Sequence, residues 1–177
     1  MAAAQVLVEE GFSALTHRAV ASRAGVPLAS TSYYFSSVDD LAEQALRHAT
    51  QAWLAESVAA FDALPGRIGT GPATARALLA VVTAGSGDPR SLAAMYERYL
   101  EAGRQDALRT LVVTANGEVA TLVARVLQRA GRRAAAARLV LATIDGLLLT
   151  ALAEGRPEPA SHVVPELSRL VALLPRG

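Results

Sequence analysis

The chain has 177 residues, length enough for one core or two small ones, and its 17 basic and 16 acidic residues leave a net charge of +1, low for a nucleic-acid binder. Apolar residues make up 52% but aromatics only 5%, so the core must be built from Ala, Leu and Val, which favour closely packed helices and predict an all-α fold. The absence of cysteine excludes disulfides, thiolate metal sites and cysteine nucleophiles.

In chain order, Ala2 to Glu10 reads as a short helix ending near Gly11, with Phe12 and Leu15 as core plugs behind it. Thr16 can cap the next helix, whose apolar Ala19, Val20 and Ala24 recur at helical spacing. Gly25 stops it, and Pro27 opens a third helix, Leu28 to Tyr34, where a missing amide costs nothing. Ser36 and Ser37 can cap a long fourth helix to about Ala63, with Asp39 and Asp40 in the first turn where the helix dipole favours negative charge. Pro65 to Pro72, PGRIGTGP, is the clearest break. Helices then read as Ala73 to Ala84, Ser91 to Ala102, Asp106 to Arg129, Arg133 to Glu154 and Val164 to Leu174, separated by the SGDP, GRQ, AGR and GRPEPAS segments, for about nine helices in all.

Two short helices around a glycine turn are how many proteins set a recognition helix into the major groove. The second of these carries Ser30, Thr31, Ser32, Tyr33 and Tyr34, hydrogen-bonding and stacking side chains rather than an apolar stripe. Charge does not add to the argument, since Arg18, Arg23 and Arg47 face Glu9, Glu10, Asp39, Asp40 and Glu43 in the first 50 residues.

Gly11, Phe12, Leu15, Thr16, Arg18, Val20, Ala21, Ala24, Gly25, Val26, Ser30, Tyr33, Tyr34, Phe35 and Leu41 together resemble the signature of the TetR/AcrR family of transcriptional regulators, over about residues 5 to 50. The resemblance implies a helix-turn-helix DNA-binding domain at 1–47 and a helical ligand-binding and dimerisation domain at 48–177. Residue by residue it implies Ser30, Ser32 and Tyr33 toward base edges, with Thr16, Arg18 and Tyr34 toward phosphates or the groove. Pro27, Leu28 and Ala29 either touch a thymine methyl or fill the turn. Two departures stand out: Val38 occupies a position where the family commonly carries a phosphate-binding Lys, and the sequence opens partway into what is usually a longer first helix.

In the second domain, Met95, Tyr96 and Tyr99 share one helix and, with Trp53 and Phe61, either line a ligand cavity or form core; Asn116 is a polar group that could orient a ligand. Ala142, Gly146 and Thr150, spaced by four beside Leu147, permit close helix approach, and Leu167, Leu170 and Val171 give the last helix an apolar face. Two such helices from each subunit would make a four-helix dimer interface; a crossing inside one chain is the alternative.

The three histidines are scattered, and no phosphate loop or metal-ligand spacing stands out, so neither an enzyme, a metal nor a cofactor is expected. Nothing near Met1 resembles a signal peptide, and charge interrupts each apolar segment before the roughly 18 residues of a membrane span, so a soluble cytoplasmic protein is expected. The function implied is a homodimeric repressor released from an inverted-repeat duplex operator by an unidentified small-molecule effector. The alternative is a ligand-binding or interaction module of the same fold that no longer binds DNA.

Overall fold

The computed structural model of the protein describes residues 1–103 and 106–177; Arg104 and Gln105, in the predicted GRQ connection, lie outside the described residues. The described residues form ten α-helices: α1 Ala2–Glu10, α2 His17–Ala24, α3 Leu28–Tyr34, α4 Val38–Asp62, α5 Pro72–Val82, α6 Pro89–Ala102, α7 Asp106–Arg129, α8 Ala137–Ala153, α9 Pro159–His162 and α10 Val164–Leu173. Among the described residues there is no strand, only an isolated bridge between Arg132 and Arg176. The fold is all-α, as expected.

The differences from expectation are local. One helix more is found than the nine predicted, because Pro159 starts the single turn α9 inside a segment read as a loop. The helix after the PGRIGTGP break stops at Val82 rather than Ala84, since Ala84 and Gly85 take left-handed backbone at φ 51 and 75 and reverse the chain. The AGR connection runs on into a 3-10 turn, Ala134–Ala136, before α8 begins.

Packing divides the chain into two units, Met1–Ala52 with Ala93–Thr114, and Trp53–Leu92 with Ala115–Gly177. The first unit is built on Leu7, Leu15, Val20, Leu41, Leu46 and Leu108, with Phe12 and Phe35 packed at its margin. In the second, Phe61, Leu78, Leu127, Ile144, Leu148 and Leu167 are fully buried, and α10 lies along α5. Burying a side chain of this size contributes about 1.5–3 kcal/mol. Helix α4 is continuous for 25 residues and belongs to both units.

Two helices, Leu108–Arg129 and Ala134–Ala153, are long and apolar enough to cross a membrane by length and composition. Each carries charge within it, Glu118 and Arg125 in one and Arg138 and Asp145 in the other.

Candidate nucleic-acid interface

Local chemistry sets the geometry of α2 and α3. The Thr16 hydroxyl accepts from the Ala19 amide at 3.1 Å and so caps α2. At the other end Gly25 is left-handed (φ 67, ψ 30), and the Val26 amide reaches back to the Ala21 carbonyl at 3.0 Å, closing a Schellman turn that a Cβ would strain. Pro27 then leads into α3, with its carbonyl accepting from the Ser30 amide at 3.0 Å.

Only one residue of α3, Thr31, is buried; its hydroxyl donates to Leu28 O at 2.8 Å and lies 3.5 Å from His17 O, facing the first turn of α2. Everything else the helix carries is turned outward or half-buried. Tyr33 and Tyr34 are 84% and 74% exposed, their rings meeting edge to face at 5.3 Å, while Ser32, Leu28, Ala29 and Pro27 are exposed and Ser30 is half-buried. Thr16 and Arg18 are exposed on the neighbouring α2 and its cap. Two adjacent phenol rings in water bury nothing, so their exposure is not explained by packing. The arrangement can offer hydroxyl donors and acceptors and two π faces to a groove.

Sequence reasoning missed how Arg23 is used. Its guanidinium bridges Glu9 and Glu10, each at 2.6 Å, tying α2 to the end of α1. The hydrogen bond to Glu9, and then the field of both acids, push its pKa further up, so this charge is held within the protein. Arg18 makes no such pair among the described residues. The start of α4 is also fixed locally: the Ser37 hydroxyl accepts from the Asp40 amide at 3.0 Å, and Asp40 in turn accepts from the Ser36 amide at 2.9 Å. Val38, the first residue of α4, is half exposed.

The predicted ligand residues are divided between the units. Met95, Tyr96 and Tyr99 belong to the first, where Tyr96 is buried, Met95 half-buried and Tyr99 exposed. In the second unit Trp53 is half-buried and donates its indole N–H to Val82 O at 3.2 Å, and Asn116 is half-buried. Phe61 is core: the guanidinium carbons of Arg125 and Arg129 lie 4.1 and 4.0 Å from its ring centroid. A cleft of about 460 Å³ in the second unit is lined by other residues, Arg76, Leu79, Ala160, Ser161, Val164 and Pro165. No cluster of three or more potential metal-binding side chains occurs among the described residues.

Of the predicted dimer residues, Ala142, Gly146 and Thr150 are exposed along α8, between exposed Leu139 and Leu149, and Leu147 is half-buried. On α10, Leu170 is half-buried, whereas Leu167 and Val171 are fully enclosed by their own chain and have no surface left for a partner.

A capped two-helix turn that holds an exposed polar helix by one buried threonine defines the class: a helix-turn-helix regulator. Comparison with known proteins gives the family. Residues 1–45 match the description "Bacterial regulatory proteins, tetR family", and residues 73–173 match "Tetracyclin repressor-like, C-terminal domain". The chain belongs to the TetR family of transcriptional regulators, whose fold combines DNA binding with ligand binding. Among solved structures it is similar to the multidrug binding protein EbrR in complex with proflavin, at 33% identity over 96% of this chain and 95% of that one, with a TM-score of 0.68. A TetR-family member from Streptomyces coelicolor matches at 33% identity over 96% and 94% of the two chains, TM-score 0.64. A transcriptional regulator from Rhodococcus matches at 26% over 96% and 91%, TM-score 0.70. No curated protein matches.

Proposed function

We propose that this protein is a homodimeric repressor that reads an inverted-repeat operator through α3 and is released from it by a small-molecule effector. Residues 1–47 bind DNA and residues 48–177 dimerise and take the effector. The observation that carries this reading is the outward display of Ser32, Tyr33 and Tyr34 on a helix anchored by buried Thr31. Ser30, Ser32 and Tyr33 meet base edges, Thr16, Arg18 and Tyr34 the backbone or groove, and Pro27, Leu28 and Ala29 the thymine methyls or the turn.

One short helix reads too few bases for useful specificity, and a two-fold pair doubles them, placing half-site centres about 34 Å or a small multiple apart. For the dimer face we assign the exposed Ala142, Gly146 and Thr150 of α8, flanked by Leu139 and Leu149, with Leu147 and Leu170 at its edge; Leu167 and Val171 support it from beneath. This also accounts for the apolar surface of Ala134–Ala153 without a membrane, and the protein is cytoplasmic. For the effector we assign Trp53 and Asn116 in the second unit. The binding of proflavin by EbrR supports a flat aromatic cation among the compounds to screen. The protein is a switch rather than an enzyme.

The test is a gel shift with the promoter fragment beside the protein's own gene, for wild type and Tyr33→Ala. A sequence-dependent band lost in Tyr33→Ala, with helical signal and dimer intact, supports the reading. An unchanged band in Tyr33→Ala, or no band with wild type, refutes it and leaves a binding module that has kept the fold.

A further inference from the structure

The charge of the chain is unevenly placed. Of its 17 basic and 16 acidic residues, the unit that carries α3 holds six and eight, and the other unit eleven and eight. Within that second unit no acid occurs between Asp62 and Asp88, between Glu118 and Asp145, or after Glu166. The fold brings these three acid-free tracts together. The Ile68 amide donates to Arg129 O at 3.0 Å, joining the loop after α4 to the end of α7. The Arg133 amide donates to Pro175 O and the Gly177 amide to Gly131 O, laying the chain's end along the α7–α8 turn beside the Arg132–Arg176 bridge. The segments that carry Arg67, Arg129, Arg132, Arg133 and Arg176 therefore lie side by side, with Arg67, Arg133 and Arg176 exposed.

None of these five arginines has an acidic partner among the described residues. Arg129 donates to Phe61 O and Leu64 O and Arg132 to Leu174 O, so those two are held in place by backbone carbonyls. Arg67, Arg133 and Arg176 are exposed, and only the Nε of Arg133 is used, donating to Arg176 O at 3.3 Å. Exposed guanidinium groups without an acidic partner attract an anion of several charges. The segments that carry them, 63–68, 129–133 and 174–177, contain no aromatic residue, the usual anchor of protein and membrane interfaces. What this surface offers is charge on glycine- and proline-rich turns that let a backbone come close.

We propose that this arginine surface is a second DNA contact, which binds the phosphate backbone of duplex DNA without regard to sequence. The proposal rests on the family's DNA binding but not on operator reading by α3.

The test uses a short labelled duplex of random sequence, titrated at several salt concentrations with the full-length protein. In Arg67→Gln/Arg133→Gln/Arg176→Gln the slope of log affinity against log salt should fall by up to about 2.7 per protomer, at about 0.9 for each lost phosphate contact. All three side chains are exposed, so thermal melting should not change; Arg67→Glu alone, in a loop where its side chain makes no bond, serves as the second variant and should lower random-duplex affinity at low salt. Arg156→Gln, at an exposed arginine already paired with Glu154, should keep the wild-type slope. An unchanged slope in the triple variant overturns the proposal, as does an equal loss per arginine in Arg156→Gln. Arginine-dependent binding of poly-glutamate without binding of the random duplex would assign the surface to an acidic protein and equally overturn it. Failure of operator recognition alone, with the random-duplex slope intact, would count against the repressor reading and not against this one.

Discussion

Val38→Lys puts a cation where the family commonly has one, and the structure sets the competing terms. Val38 is the first residue of α4, half exposed, so a Lys side chain there displaces no core. A positive charge in a first helical turn is disfavoured by about 0.3–1 kcal/mol, but Asp39 and Asp40 occupy the same turn and offset part of that cost. Stability should therefore change by less than about 1 kcal/mol, which for a chain of this size moves the melting temperature by only about 2–4 °C. If the start of α4 lies against the DNA backbone, each subunit gains one phosphate contact. The salt slope of a dimer then steepens by about 1.8, and operator affinity falls about twelvefold more than wild type between 50 and 200 mM salt. Fluorescence anisotropy with operator and scrambled duplexes at graded salt measures this, and sequence preference should stay as it was. An unchanged slope would refute the docking of α4 beside the backbone, however well α3 reads its site.

Gly146→Leu, placed between Ala142 and Thr150 on the exposed side of α8, should shift light scattering toward the monomer at micromolar protein while helical content holds; a stable dimer would move the interface elsewhere. Hydrogen bonding from the Ser91 side chain first, and then from the Ser91 amide at 3.0 Å, holds the pKa of the Asp88 carboxylate down at about 2 from 3.8. Because the folded state depresses it, its contribution is present above the unfolded value of 3.8 and is lost as pH falls through about 2; Asp88→Ala should cost about 1 kcal/mol at neutral pH and only a small fraction of that at pH 2, read by urea unfolding at the two pH values.

The helix-turn-helix was legible in the sequence because its determinants are local. Thr16, Gly25 and Pro27 act on amides within a few residues, and the structure puts the ends of α2 and α3 where those residues require. The role of Thr31 was not legible, since a hydroxyl in a row of hydroxyls carries no mark of being the buried one. Nor was the Arg23 bridge to Glu9 and Glu10, which depends on how α1 lies against α2. In the second unit, periodicity marked Leu167 and Val171 as buried but could not say against what. They face their own chain, because α10 packs along α5. The adjacency of the segments that carry Arg67, Arg133 and Arg176 joins residues 43 to 109 positions apart, which no window of sequence displays.

Effector and operator should oppose each other thermodynamically, through a chain of causes that begins at α4. This one helix holds Trp53 in its second half and, in its first turn, follows Tyr34 by only a few residues. At about 1.5 Å per residue its 25 residues span some 37 Å without a break, so a ligand that shifts Trp53 shifts a rigid rod rather than a loop. If the protein dimerises through α8 as proposed, that movement should change the separation of the two α3 helices and spoil their fit to a two-fold operator. Release requires the effector to prefer the DNA-free state. Moving the balance from 99:1 to 1:99 needs about 5.5 kcal/mol, or under 3 kcal/mol from each of two bound molecules. Linkage then demands that saturating operator weaken the effector by the same total factor, roughly a hundredfold per site. Calorimetric titration of the effector into free and operator-bound protein, with Trp53 fluorescence as the local reporter, measures both sides of that cycle. Equal affinity in the two titrations would rule out the rod as the coupling element, even if the effector were found against Trp53.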